Sequence, residues 1–105
     1  RPGMVLSNEP GYYKEGAYGI RIENLLIVRK EAVDASGNGE NPMLKFDTVT
    51  LAPIDISLVD ESLLSSHEIN WLNKYHSRVL STIGPFLNSK EKDWLEEATS
   101  PLGQF

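Results

Sequence analysis

Apolar residues repeat at strand spacing in the N-terminal half of the chain and at helix spacing in the C-terminal half. Met4 to Leu6 are consecutive apolar residues, which predicts a strand over 3–9 that is covered on both faces. Residues 20–30 alternate between apolar and polar and then become continuously apolar, with several β-branched side chains. This segment is the strongest predicted strand of the sequence.

Turn-forming residues separate the predicted strands. Pro10-Gly11 ends the first strand, and a Gly- and Tyr-rich connection over 11–19 leads to the second. Residues 34–42 contain almost no apolar side chain and predict an exposed, mobile loop. A third strand is predicted over 45–51, and its side chains available for burial are Phe46, Val49 and Leu51.

A helix is predicted from Ser65, because a hydroxyl residue followed three positions later by Glu68 matches a capping box. Apolar residues then recur at three- and four-residue steps as far as Ile83. Gly84-Pro85 supplies the stop, so the helix has a predicted length of roughly 18 residues. The predicted inner stripe comprises Ile69, Leu72, Tyr75 or His76, Val79, Leu80 and Ile83.

The same start signal occurs again at Asn88 and Glu91, which predicts a second helix to about Thr99. Its predicted inner side carries Trp94, Leu95 and Ala98. Three strands followed by two helices indicate the α+β class.

Length and composition exclude several kinds of protein. The chain has 105 residues, 40 % of them hydrophobic, which fits about one folded domain. Its formal charge of -5 would repel a phosphate backbone, so no nucleic-acid partner is expected. Cysteine is absent, which is usual in a reducing compartment and makes cytoplasm the expected location. No apolar run approaches the roughly 20 residues that span a bilayer, so no membrane partner is expected.

Few residues match a familiar catalytic pattern. His67 and His76 are nine positions apart, a spacing that fits neither a helical zinc pair nor a zinc finger, so both are interpreted as ordinary helix residues. The sequence has no Walker phosphate loop and no Gly-x-Ser-x-Gly elbow. Catalysis through a side-chain nucleophile therefore has no candidate.

Two glutamates provide the remaining chemistry. Glu9 and Glu23 are equidistant from Gly16, so an antiparallel hairpin centred there would make them face each other. Opposed carboxylates repel unless a proton or a cation lies between them, and a shared divalent metal satisfies both. Arg21 would lie on the same face, where it could orient them. The alternative is a solvated row of ion pairs on an edge strand, which spacing alone favours.

Four segments resemble one family. Residues 4–13 (MVLSNEPGYY) and 19–24 (GIRIEN) are similar to the end of the catalytic domain of aminopeptidase P, a pita-bread metallopeptidase. Residues 46–53 and 71–76 resemble the C-terminal part of the larger eukaryotic-type enzymes. The resemblance implies the C-terminal strands of a pita-bread domain over 1–56 and a helical extension over 57–105.

The resemblance also implies a chemistry. Family members remove the first residue of a peptide whose second residue is proline, using two divalent metal ions, usually Mn²⁺. Glu9 matches a ligand of one metal, and Glu23 matches the carboxylate that bridges both. Arg21 and Tyr13 match positions that support the site. Oxygen donors of this kind suit a hard ion such as manganese.

The resemblance places two Asp and one His ligand before Arg1, so we expect this chain to be a piece of a longer protein and inactive alone. Two glutamates offer too few oxygens for two six-coordinate ions. A homodimer is implied for the whole protein, and exposed apolar sheet edges are expected for the piece. The competing hypotheses are a non-catalytic pita-bread module that binds a peptide or protein, and a standalone hairpin-and-helix interaction domain.

Overall fold

The computed structural model describes residues 1–31 and 43–103 and contains both strands and helices, as the α+β prediction requires. It divides into two compact units, residues 1–50 and residues 51–105, which are described separately. The loop predicted over 34–42 lies outside the described residues. The proposed division into 1–56 and 57–105 concerns functional domains and stays a prediction.

The N-terminal unit contains an antiparallel sheet of three strands in the order β1-β4-β5. These strands are β1 (Val5–Asn8), β4 (Asn24–Lys30) and β5 (Leu44–Thr48). The third predicted strand thus begins one residue early and ends three residues early. Beyond it the Val49 amide still donates to the Leu25 carbonyl at 2.9 Å, while the Leu25 amide donates to the Thr50 hydroxyl at 2.7 Å instead of to a backbone carbonyl.

A second pair of strands, β2 (Gly11–Lys14) and β3 (Tyr18–Arg21), forms a two-stranded sheet. The prediction of a non-strand connection after Pro10 was therefore wrong. Extended backbone resumes directly after the proline, and the two tyrosines of β2 are good strand formers. The turn contains Gly16 at φ 69°, a left-handed conformation that glycine adopts without steric cost.

Most side chains of the N-terminal unit are exposed. Among its described residues only Asn24 and Val28 are buried. Leu6 is 44 % exposed and Phe46 is 61 % exposed, so the predicted coverage of β1 on both faces and the predicted burial of Phe46 are wrong for this chain. The expected exposure of apolar sheet surface is confirmed. Within residues 1–31 and 43–50, no second layer of strands or helices packs on this sheet.

Helix α1 spans Ser66–Ile83, which confirms the predicted start, end and length of 18 residues. Its capping box is complete, since the Ser65 amide donates to the Glu68 carboxylate at 2.8 Å and the Glu68 amide donates to the Ser65 hydroxyl at 3.2 Å. Two of the orphan amides at the helix N-terminus are thereby satisfied. A single 3-10 turn, Gly84–Phe86, follows at the predicted stop.

Helix α2 spans Ser89–Ala98 and also begins with a complete capping box, formed by Asn88 and Glu91. Leu95 is buried and Ala98 is half-buried, as predicted. Trp94 is 63 % exposed, so its predicted inner position is wrong. Residues one position apart on a helix differ by about 100° in direction, and Leu95 rather than Trp94 faces the core.

The C-terminal unit has a hydrophobic core. The described residues that form it are Leu72, Tyr75, Val79, Leu95 and Leu102. Ile69, Leu80 and Ile83 pack around this cluster, which confirms the predicted stripe of α1. Burial of each large apolar side chain contributes roughly 1.5–3 kcal/mol.

Polar contacts attach the segment before α1 to the helix. The Tyr75 hydroxyl donates to the Ala52 carbonyl at 2.6 Å, and the Ile54 amide donates to His76 Nε2 at 3.0 Å. His76 is 1 % exposed, and its Nδ1 has no hydrogen-bond partner among the described residues. Because Nε2 accepts a hydrogen bond, the neutral ring carries its proton on Nδ1. Burial lowers the pKa of His76.

Within residues 1–31 and 43–103, no helix combines the length and the apolar character that crossing a bilayer requires.

Candidate metal centre

One constant register runs through both strand pairs of the hairpin, defined here as residues 4–28. β1 pairs with β4 so that Asn8 lies opposite Asn24, and β2 pairs with β3 so that Gly11 lies opposite Arg21. Each pair is equidistant from Gly16, as the sequence analysis predicted for a single antiparallel hairpin. The register therefore aligns Glu9 with Glu23, between the two paired stretches.

The backbone around this position has one hydrogen bond where an ordinary pair of residues has two. The Ile22 amide donates to the Pro10 carbonyl at 3.2 Å, and proline has no amide to donate in return. This bond identifies Pro10 and Ile22 as a hydrogen-bonded pair, so the adjacent pair of Glu9 and Glu23 is of the non-hydrogen-bonded type. In such pairs the side chains are closest, with Cα atoms about 4.5 Å apart.

The two glutamates and Arg21 are exposed to solvent in this chain. Arg21 is two residues from Glu23, and alternation along the strand gives both side chains the same face. By the register, this is also the face that Glu9 shares, so one basic and two acidic residues lie on one face of the hairpin. The arrangement can accept a cation from solvent without first opening a core.

Tyr13 lies on this same face and crosses the hairpin. A Cβ atom built on Gly19, the residue opposite Tyr13, would be 2.7 Å from the Tyr13 ring carbon Cδ1. A Cβ atom built on Gly11 would be 2.8 Å from the Tyr13 hydroxyl and 3.0 Å from Arg21 Cγ. The ring thus extends from Gly19 to Gly11 and ends beside Arg21.

The opposite face of the hairpin is apolar. An open cavity of about 310 Å³ is lined by Pro10, Tyr12, Ile20 and Ile22, together with Gly11 and Arg21. The Tyr12 and Tyr18 rings lie 6.0 Å apart at 44°, a tilted aromatic pair. Of the three tyrosines in the hairpin, only Tyr13 therefore shares a face with the glutamates.

The described part of the chain holds no group of three or more His, Cys, Asp or Glu side chains that could bind a metal ion. Glu9 and Glu23 are hard oxygen donors of the kind that manganese or magnesium prefers, so their chemistry fits part of such a site. A pair of carboxylates does not complete it. The metal-ligand roles of Glu9 and Glu23 and the supporting roles of Arg21 and Tyr13 stay predictions.

Sequence reasoning missed the two glycines beneath Tyr13. Gly11 and Gly19 appeared only as members of a flexible connection. The signal that could have identified them is the register, which places Gly19 opposite Tyr13 and leaves Gly11 two residues before it on the same face.

Two family models match this chain in succession. Residues 1–30 match metallopeptidase family M24, and residues 42–102 match the C-terminal region of peptidase M24. The second match alone covers more than half of the chain. The chain belongs to metallopeptidase family M24. This membership confirms the resemblance inferred from the glutamate motifs and from the C-terminal segments, and it removes the hypothesis of an unrelated hairpin-and-helix domain.

Relatives of the family are similar over nearly the whole chain. Aminopeptidase P1 of Lotus japonicus is 46 % identical over 101 residues, which cover 95 % of this chain and 15 % of that protein. A protein named probable Xaa-Pro aminopeptidase P from Coprinopsis cinerea is 43 % identical over 104 residues, 97 % of this chain and 17 % of its own length. The chain thus spans about one sixth of the length of the curated relatives it matches.

A solved structure confirms the fold. X-prolyl aminopeptidase of Caenorhabditis elegans, described as a cytosolic enzyme with a di-nuclear active site, has a TM-score of 0.79 and 46 % sequence identity. The match covers 93 % of this chain and 16 % of that enzyme. The predicted pita-bread fold, with strands followed by helices, is therefore correct.

Proposed function

We propose that this chain is part of a metal-dependent Xaa-Pro aminopeptidase, to which it contributes two carboxylate ligands, Glu9 and Glu23. The observation that carries the proposal is the shared register of the two strand pairs, which aligns the glutamates across the hairpin. Membership of a metallopeptidase family and relatives named Xaa-Pro aminopeptidase support the same assignment.

Glu9 binds one divalent metal ion in this proposal, and Glu23 bridges two. Bound metals lower the pKa of a coordinated water and so supply a nucleophile near neutral pH. The Glu23 carboxylate would offset part of the repulsion between two such cations. Manganese is the proposed metal, because carboxylate oxygens suit a hard ion.

Arg21 and Tyr13 position the glutamates rather than bind metal. Alternation along the strand gives Arg21 the same face as Glu23, and in this proposal Arg21 orients that carboxylate towards the metal. The Tyr13 hydroxyl and the Arg21 stem lie on the same side of Gly11. The proposed substrate is a peptide with proline second, whose bond is hydrolysed without a covalent intermediate on the protein.

The 105 residues alone are not expected to be active. Two glutamates provide at most four carboxylate oxygens, whereas two six-coordinate ions need more. The remaining ligands belong, in this proposal, to other parts of a longer protein. For that protein we also propose a cytoplasmic location, a homodimer, and a boundary near residue 56 between the pita-bread strands and the helical extension.

The experiment is a Glu23→Gln substitution in the full-length protein. Loss of the bridging carboxylate is expected to reduce release of the first residue from an Xaa-Pro peptide at least about 100-fold, since both metals lose a ligand. The metal content of the purified protein should fall as well. Glu15→Gln, in the exposed turn of the same hairpin, is the matched control and should retain both. Full activity and metal content in the Glu23 variant would refute the proposal.

A further inference from the structure

The Tyr13 side chain rests on two residues that have no side chain of their own. A Cβ on Gly19 would lie 2.7 Å from ring carbon Cδ1, and a Cβ on Gly11 would lie 2.8 Å from the hydroxyl. Real Cβ atoms do not approach other heavy atoms this closely, so the present position of the ring requires glycine beneath both of its ends. The two positions form a floor for the ring.

Backbone conformation does not explain these glycines. Among the described glycines, those at positive φ are Gly3, Gly16 and Gly103, so Gly11 and Gly19 have backbone angles that other residues can adopt. Both lie in regular strand pairing, where glycine is unfavourable because it packs nothing and costs conformational entropy. Their contribution must therefore be the space they leave open.

We propose that Gly11 and Gly19 are positioning residues of the peptidase site, which act by letting Tyr13 lie across the hairpin against Arg21. This inference rests on the proposed function. The Tyr13 hydroxyl and Arg21 Cγ are both within 3.0 Å of one point above Gly11, which places the ring and the arginine stem side by side on this face. Arg21 and Glu23 are neighbours on one face of the strand. An arginine held in one position would in turn hold the Glu23 carboxylate in one orientation.

Because the Tyr13 side chain is exposed, it needs the two glycines beneath it to keep its ring in one position. Tyr13 is 64 % exposed, and an exposed side chain on a two-stranded sheet has few neighbours to select one rotamer. An aromatic ring lying over a cross-strand glycine gains a contact surface on the backbone itself. A ring displaced by a methyl group at position 19 would lose that surface and release Arg21.

The test is Gly19→Ala in the full-length protein. Losses for residues that orient metal ligands are typically about 10- to 100-fold in affinity or activity. We therefore expect kcat on an Xaa-Pro peptide to fall about tenfold with KM changed less than about twofold. The Mn²⁺ concentration that half-saturates the metal-free protein, measured by bound metal content, should rise at least about tenfold.

A double substitution separates positioning from general damage. Tyr13→Ala removes the ring, after which a methyl group at position 19 has nothing to displace. Gly19→Ala should then add no further loss to Tyr13→Ala, a non-additivity that a folding defect at position 19 would not produce. Should the single variant fail to fold, recovery of folding in the double variant would support the same contact, and failure of both would overturn it.

Lys14→Ala is the control, because Lys14 is an exposed residue of the same hairpin and lies on the opposite face from Tyr13. It should leave kcat, KM and metal binding unchanged. An inactive Glu23→Gln variant beside a fully active Gly19→Ala variant would refute the floor while leaving the proposed function intact. An active Glu23→Gln variant would refute the proposed function. Even then, a loss of kcat or of folding stability from Gly19→Ala that disappears in the Tyr13→Ala background would establish the contact between position 19 and the ring.

Discussion

The two units of this chain have similar lengths and different relations to solvent. Among residues 51–103, the described part of the C-terminal unit, five apolar side chains are buried around α1 and α2. In the N-terminal unit, regular strand pairing continues through residues whose apolar side chains are mostly exposed. A sheet acquires stability by covering a face, and three strands alone cover little. Regular backbone pairing therefore does not require side-chain burial: the N-terminal unit has regular strand pairing but few buried side chains.

The proposed catalytic residues all lie in the unit with less burial. Their alignment depends on the register of a hairpin, which is a property of the backbone, while side-chain packing in that unit is sparse. The helical unit contributes none of the residues proposed for chemistry. The difference predicts that stability and activity can be changed independently in this protein.

The sharpest test of the comparison deletes one leucine from each unit. Leu72→Ala removes a side chain that is 6 % exposed and is expected to lower the free energy of unfolding of the helical unit by about 2–5 kcal/mol. Leu6→Ala, at a half-exposed position, should cost less than about 1 kcal/mol. Chemical denaturation followed by tryptophan fluorescence reports the helical unit alone, because Trp71 and Trp94 both belong to it.

Equal losses for the two leucines would contradict the comparison. The Leu6 variant should be monitored by circular dichroism in the strand region, since its unit contains no tryptophan.

A smaller effect is expected at the capping box of α1. Ser65→Ala removes the hydroxyl that accepts from the Glu68 amide, and should destabilise the helical unit by about 1 kcal/mol. Ser77→Ala, on the exposed side of the same helix, is the control and should be neutral or slightly stabilising, since alanine has the higher helix propensity. A Ser65 variant as stable as the Ser77 variant would show that the box is dispensable.

The last expected effect is a pH dependence confined to the helical unit. Burial lowers the pKa of His76 below its ordinary value of 6.5, so the unfolded chain binds a proton more readily than the folded chain. The stability contributed by neutral His76 is complete above pH 6.5 and is lost as the pH falls below it. Denaturation midpoints between pH 7.5 and 5.5 measure this slope.

His76→Asn should flatten the slope, and His67→Asn, at an exposed position on the same helix, should leave it unchanged. A slope that survives the His76 substitution would assign the pH dependence to other groups.

Local signals predicted the helices and the hairpin register well. Ser65 with Glu68, and Asn88 with Glu91, fixed both helix starts because a capping box acts within four residues. The register assumed for a hairpin centred on Gly16 is the observed one, since a tight turn determines the pairing that follows.

Features that depend on distant contacts were predicted less well. Trp94 and Phe46 are large and apolar, and periodicity alone assigned them to the interior. Leu95 takes the buried position next to Trp94 on α2. Phe46 is exposed because nothing within the described residues of its own unit covers its face of the sheet. β2 was missed because Pro-Gly is a frequent strand end, whereas here pairing resumes on the next residue. The roles of Gly11 and Gly19 follow from a cross-strand neighbour that their own local sequence does not reveal.

At Pro10, next to Glu9 and Glu23, the hairpin has fewer backbone hydrogen bonds than in the strand pairs on either side. Above and below it the strands are held by regular pairing, while the Ile22 amide alone bridges them at the proline. Because this position has a single backbone hydrogen bond, the two strands can move slightly apart or together here. The distance between the two carboxylates can therefore change without breaking the hydrogen bonds of either strand pair. Under the proposed function, the same two glutamates would therefore fit cations of different radius at little cost to the stability of the hairpin.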